Sequence, residues 1–234
     1  MMGAVQPKAV RPFMWDYRDK PDWPAPSKPT SWSVTPVQSS SPENCLIVIG
    51  ASAGGVDALK TLFRALPHDL SAPICVVLHL SPLSPSILPE ILQRWTPLPV
   101  RHAINGERLK PGVVYIAPPN RHLVVEDGTV QLTTAPRENR HRPAVDPLFR
   151  SAALFYGPRT IGVILSGSLD DGTAGLWEIK NRGGIAVVQD PVEAVHPGMP
   201  RSAVLNVDVD HVVPLSQMGE LLASLCHAEV RDGK

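Results

Sequence analysis

A chain of 234 residues with 43% hydrophobic and 19% charged content carries enough apolar material for one substantial core. Lysine plus arginine equals aspartate plus glutamate, 22 of each, so no global field draws the chain to nucleic acid or an anionic membrane. No apolar run reaches the roughly 18 residues of a spanning helix, and the front lacks the compact apolar stretch of a secretory signal; a soluble, cytoplasmic protein is expected. Cys45, Cys75 and Cys226 show no metal-binding spacing, and Cys45 and Cys75 lie in apolar runs. Those two read as small buried thiols, and the cysteine usage fits a reducing compartment.

Residues 1–43 are punctuated by Pro7, Pro12, Pro21, Pro24, Pro26, Pro29, Pro36 and Pro42. Proline at that density sustains neither helix nor central strand, so a disordered tail is expected. Trp15, Trp23 and Trp32 within it are unusual for pure disorder and offer a docking contact instead. From residue 44 the texture changes. The run Cys45 to Gly50 predicts a buried parallel strand. Val56, Leu59, Leu62, Phe63 and Leu66 recur at helical spacing, and Pro67 closes that helix. A strand over Ile74 to Leu78 ends at His79, and Ser84 to Trp95 reads as a second helix. Val113 to Ala117 predicts a strand, and Leu123 to Leu132 a hairpin turned at Asp127-Gly128.

Further on, Pro147 to Tyr156 is expected to be helical, and Thr160 to Leu165 a core strand. A helix from Gly172 to Lys180 follows, with Gly183-Gly184 past its end. Ile185 to Val188 and His211 to Val213 read as strands, and Pro214 to Leu225 as the last helix. Strands alternating with helices define an α/β class: a mostly parallel, doubly wound sheet with one antiparallel hairpin. It spans 44–228, and 229–234 form a C-terminal tail.

Open parallel sheets bind ligands beyond the carboxyl ends of their strands. Ser52, His79 and the pair Asp170-Asp171 stand at three such ends. These are the residue types of a nucleophile, its base and the carboxylate that orients the base. Gly50-Ala51-Ser52-Ala53-Gly54 satisfies G-x-S-x-G between a strand and a helix. Its small residues permit a sharp turn, and the following helix aims its N-terminus at the serine, with the Ala53 N–H as an oxyanion donor. The same segment also reads as a turn with an N-capping serine. A dinucleotide loop is disfavoured, because serine replaces the second glycine of the fingerprint and His79 replaces the acid that would hold ribose. A strand-end histidine alone is more often structural; its pairing with Ser52 is what singles out His79. Asp170 or Asp171 caps a helix on the plainer reading, and Asp146, Asp190 and Asp208 compete as the acid. Arg137, Arg140, His141 and Arg142 form a local basic cluster, either a solvated loop or a contact surface.

Seven segments together resemble the catalytic domain of CheB-type protein-glutamate methylesterases. They are Ile49 to Gly55, Val77 to Pro82, Asn105 to Glu107, Pro111 to Pro118, Arg142 to Asp146, Leu165 to Gly172 and Gly198 to Arg201. The resemblance runs from about Cys45 to Leu222. It implies a triad of Ser52, His79 and Asp171, with oxyanion donors from Ala53 and Ser168 and with Gly54 and a Gly198-Met199-Pro200 loop near the cleft. The implied reaction is hydrolysis of glutamate γ-methyl esters on chemoreceptor cytoplasmic helices, with glutamine deamidation as a second activity and no metal or organic cofactor. The chain departs from the family pattern at Gly167-Ser168-Leu169, where Gly-Met-Gly is usual. The Pro-rich front does not read as a receiver domain, so a receiver acting in trans is the expected alternative. The rival reading is a repurposed domain that keeps the fold and binds a protein partner.

Overall fold

The computed structural model describes residues 45–79 and 86–227. The expected tails over 1–43 and 229–234 lie outside the described residues. In chain order the elements are β1 (Leu46–Ala51), α1 (Gly55–Arg64), β2 (Ile74–Leu78), α2 (Leu88–Gln93), β3 (Val100–His102), β4 (Val114–Ile116), β5 (His122–Glu126), β6 (Thr129–Thr133) and α3 (Val145–Tyr156). They continue with β7 (Thr160–Ile164), α4 (Thr173–Asn181), β8 (Ile185–Gln189), α5 (Gly198–Asn206), β9 (His211–Val213) and α6 (Leu215–His227).

A 7-stranded sheet has the order β3-β4-β2-β1-β7-β8-β9, with every neighbouring pair parallel. Residues of β1 alternate between the two faces, as the period of a strand requires. Ile47 and Ile49 pack with Leu59 and Leu62 of α1, Leu92 of α2 and Leu222 of α6. Leu46 and Val48 pack with Leu148 and Phe149 of α3, Leu176 of α4, Ala203 of α5 and Leu123 of the hairpin. Each fully buried Leu, Ile, Val or Phe among them contributes about 1.5–3 kcal/mol, and both faces of the sheet are covered. The architecture is the doubly wound α/β sheet with a separate antiparallel hairpin, β5 with β6. Asp127 at φ 45 and Gly128 at φ 72 form the left-handed pair of the hairpin turn.

Three local expectations are corrected, and one strand was not anticipated. The helix expected over Ser84 to Trp95 is confined to α2, with Ser84 and Pro85 outside the described residues. Pro89 is accepted only in a first turn, so the helix starts just before it. Strand β3 is three residues long, too short to show a periodicity. Gly198-Met199-Pro200, expected as a loop, is the first turn of α5; its proline fits there because N-terminal N–H groups lack helical partners anyway. Finally, Cys45 is not a free thiol. It forms a disulfide with Cys226 across a sequence separation of 181, because α6 packs on α1 and returns beside the start of β1. Cys75 is the buried free thiol, with its pKa pushed far up by burial. The pairing removes the argument from cysteine usage for a reducing compartment. Among the described residues no helix is long and apolar enough to cross a membrane.

From β1 the chain winds outward through β2 to the edge strand β3, inserts β4 between β3 and β2, then returns to β7 on the other side of β1. The switch point therefore lies between β1 and β7, where the crevice of an open α/β sheet forms. Ser52 follows β1, Asp171 lies beyond β7, and His79 follows β2 next door.

Candidate active site

Ser52 sits in the turn between β1 and α1. The N-cap of α1 is Gly54 at φ 72, with no side-chain cap, so the capping reading of Ser52 does not hold. A β-carbon at Gly54 would meet Ser166 Oγ at 2.8 Å and Val195 Cβ at 3.3 Å. Glycine is thus required there both for the left-handed backbone and for space.

The hydroxyl of Ser52 donates to His79 Nδ1 at 3.0 Å, and His79 Nε2 donates to Asp171 Oδ2 at 2.6 Å. The side chains of His79 and Asp171 are 6% and 3% exposed. The backbone N–H of His79 bonds to Ala51 O at 3.2 Å, so the sheet ladder itself places the imidazole beside the elbow. An ionised carboxylate only accepts, so the Nε2 that faces it carries the proton. Nδ1 is then the free base facing the serine, the reverse of the ring usage in chymotrypsin-type sites.

Asp171 is held by more than the histidine. Its Oδ2 also accepts from the Val145 N–H at 2.8 Å, and its Oδ1 accepts from the Asp146 N–H at 3.2 Å and from Asn139 Nδ2 at 2.7 Å. Val145 and Asp146 open α3, whose N-cap Ala144 has only a methyl side chain and makes no capping hydrogen bond. Asp171 therefore caps α3 rather than the helix that follows it. Asp146 returns the arrangement: its Oδ1 accepts from the Gly175 N–H, in the first turn of α4, at 2.7 Å. The Nδ2 of Asn139 also donates to Asp146 Oδ2 at 2.8 Å, bridging the two carboxylates. Burial alone would push the Asp171 carboxyl up. The bonds from His79, Val145 and Asn139 outweigh it and hold the group below its ordinary value. Asp146 goes the other way, raised chiefly by burial. Of the competing acids, Asp170 and Asp208 are exposed, and Asp190 accepts from Val192 N–H in its own turn.

His141 stacks on His79 with ring centroids 3.7 Å apart and planes 6° from parallel. Its pKa is lowered by burial and then by the neighbouring His79. The sequence placed His141 in a basic cluster, and the structure divides that cluster. Arg142 clasps the loop to the rest of the fold through Asn120 Oδ1 at 2.8 Å and the carbonyls of Thr134 and Ala135 at 2.8 and 2.9 Å.

On the opposite side of Ser52, three loops are tied together. Ser52 N–H bonds to Ser166 O at 3.0 Å, Gly167 N–H to His196 O at 2.9 Å, and Met199 N–H to Gly167 O at 2.9 Å. Ser166 Oγ donates to Ala53 O at 2.8 Å and accepts from His196 N–H at 3.0 Å. A β-carbon on Gly167 would lie 2.9 Å from Ser52 Cβ and collide with Met199 Sδ. Met199 is fully buried beneath this loop. The Ala53 and Ser168 N–H groups make no hydrogen bond to another described residue, and Ser168 is exposed. Leu169 adopts φ 64, the left-handed conformation in which glycine carries no penalty.

Serine, imidazole and buried carboxylate hydrogen-bonded in line at the carboxyl ends of parallel strands form the arrangement that serine hydrolases use. Within that class the match is specific: residues 47–222 match the CheB methylesterase family, and the chain belongs to it. A Leptospira interrogans protein named as a protein-glutamate methylesterase/protein-glutamine glutaminase is 43% identical over 180 residues, 76% of this chain and 93% of that protein. The Photorhabdus laumondii protein-glutamate methylesterase/protein-glutamine glutaminase is 41% identical over 179 residues, 75% of this chain and 51% of its own length. Among solved structures, the Thermotoga maritima CheB methylesterase catalytic domain superposes with a TM-score of 0.75 at 37% identity, covering 78% of this chain and 98% of that one.

Proposed function

We propose that the protein hydrolyses glutamate γ-methyl esters on a protein substrate, with Ser52 as nucleophile, His79 as general base and Asp171 as the carboxylate that orients it. The hydrogen-bonded chain from Ser52 Oγ through His79 to Asp171 is the observation that carries this reading. Ser52 Oγ attacks the ester carbonyl while His79 Nδ1 takes its proton. The tetrahedral oxyanion is received by the N–H groups of Ala53 and Ser168. His79 then returns the proton to the departing methoxide, releasing methanol, and water activated by the same nitrogen resolves the acyl-enzyme to free glutamate. A glutamine side chain would follow the same path with ammonia leaving. The names of the relatives support both activities.

Chemoreceptor cytoplasmic helices, or a similar methylated signalling protein, are the substrate this reading favours, which places the enzyme in the cytoplasm. Gly54 and Met199 serve the site from behind, the first by allowing the turn and the second by holding Gly167 against Ser52. A receiver-domain partner acting in trans belongs to the same reading. The direct test is labelling with a fluorophosphonate ester. One adduct per chain, mapped to Ser52 and absent from Ser52→Ala, is expected. An unlabelled wild-type protein would instead favour the repurposed, partner-binding domain.

A further inference from the structure

Leu169 is costly where it stands. At φ 64 its Cβ crowds the backbone in a way that glycine avoids. Nothing is recovered in the core, because the residue is 63% exposed. The conformation is enforced by its neighbours: the backbone of 167–169 lies flat against Gly198, where a β-carbon would meet Leu169 N at 2.7 Å, Gly167 O at 3.0 Å and Ser168 C at 3.1 Å. A strained, exposed, bulky side chain on a rigidly held loop points to a use outside the fold.

Its place indicates the use. Leu169 lies two residues beyond Gly167, which abuts Ser52. In the neighbouring loop, whose His196 O accepts from the Gly167 N–H, stands Val195, 74% exposed, its Cβ 3.3 Å from where a β-carbon of Gly54 would be. Two exposed branched apolar residues are thus carried by the two loops that pack against the nucleophile's elbow. We propose that Leu169, with Val195, is a specificity-determining residue that selects a glutamyl ester flanked by apolar side chains of the substrate polypeptide. The proposal rests on the hydrolase reading above and goes on to say what surrounds the reacting residue. An apolar neighbour on the substrate buries surface against this rim, whereas a polar neighbour gains nothing there.

Two helical peptides test it, each bearing one glutamate γ-methyl ester, flanked on the same face by leucine in one and by serine in the other. Methanol release gives kcat/KM for each, and the ratio is the readout, since a merely structural effect moves both peptides together. Wild-type protein is expected to favour the leucine-flanked peptide by about tenfold. Leu169→Gly and Leu169→Asn, both compatible with the left-handed backbone, are expected to bring the ratio to about one, and Val195→Ser to lower it partway. A wild-type ratio near one, or a ratio unchanged in both Leu169 variants, overturns the proposal while leaving the hydrolase reading intact. Turnover of neither peptide by wild-type protein overturns both.

Discussion

Replacing Asp171 with asparagine keeps the shape of the side chain but substitutes an NH2 for one acceptor oxygen. Either orientation of the new amide meets donors. If the NH2 takes the place of Oδ2, it faces His79 Nε2 and the Val145 N–H, which now stand at 2.6 and 2.8 Å from the carboxylate. His79 then relieves the clash only by moving its proton to Nδ1, which turns the base away from its task of accepting from Ser52. If the NH2 takes the place of Oδ1, it faces Asn139 Nδ2 and the Asp146 N–H, at 2.7 and 3.2 Å. Asn139 can turn its oxygen inward only by withdrawing its bond to Asp146. Each arrangement leaves buried donors misfaced, at a cost of about 2–5 kcal/mol in stability. Loss of the carboxylate and of the correct tautomer lowers kcat by about 10³–10⁴-fold. Urea denaturation and methanol release on the purified Asp171→Asn variant measure both quantities. The variant also tests the sign of the acid dependence. The Asp171 carboxyl is held below its ordinary value, so its stabilisation is fully present above the unfolded value and is lost as pH falls through its own lower pKa. That part of the acid unfolding is absent from the asparagine variant. A variant within tenfold of wild-type kcat and with an unchanged urea midpoint would refute this account of the acid.

The stacked histidine gives a second expectation: His141→Ala lowers kcat by about tenfold by freeing the His79 ring, whereas His141→Phe retains most of the rate; equal rates in all three proteins contradict it. Because the pKa of His141 is lowered in the fold, the unfolded chain binds the proton first. Stability is full above about pH 6.5 and falls as pH drops from there towards the lower folded value; urea midpoints at pH 7 and pH 5 should diverge more in wild type than in His141→Phe. For the cysteines, a maleimide under denaturing, non-reducing conditions should label Cys75 alone, and after reduction Cys45 and Cys226 as well; labelling of all three without reduction contradicts the Cys45–Cys226 pairing. Closing so long a loop, with a sequence separation of 181, stabilises the fold by on the order of 5 kcal/mol in the chain-entropy account, so dithiothreitol should lower the melting temperature.

Much of the fold was legible because its signals are local. The continuous apolar runs of β1 and β2, the helical spacing of Val56 to Leu66 and the Asp127-Gly128 turn each depend on a few adjacent residues. The strand ends then brought Ser52, His79 and the pair Asp170-Asp171 to one edge without any knowledge of distances, and the family resemblance chose Asp171 from the competing acids. What stayed hidden depends on long-range contacts. Asn139 lies in a polar loop and becomes part of the site only through two carboxylates far apart in the chain, Asp146 in the first turn of α3 and Asp171 in the turn before α4. The exchange of caps between α3 and α4, the stack of His141 on His79 and the Cys45–Cys226 disulfide have no local pattern to reveal them. Helix α5 was missed because Gly198 and Pro200 disguise its first turn. Leu169 was visible as a departure from the family pattern, but its left-handed backbone and its exposure were not.

Ser52, as the proposed nucleophile of a glutamyl methylesterase, is the residue on which the mechanism turns. Methanol release from a protein carrying glutamate γ-methyl esters, compared between wild type and Ser52→Ala, tests that role most directly. A loss of at least about 10³-fold is expected in the variant, with an unchanged urea midpoint. Turnover by Ser52→Ala at a rate close to that of wild type would contradict it.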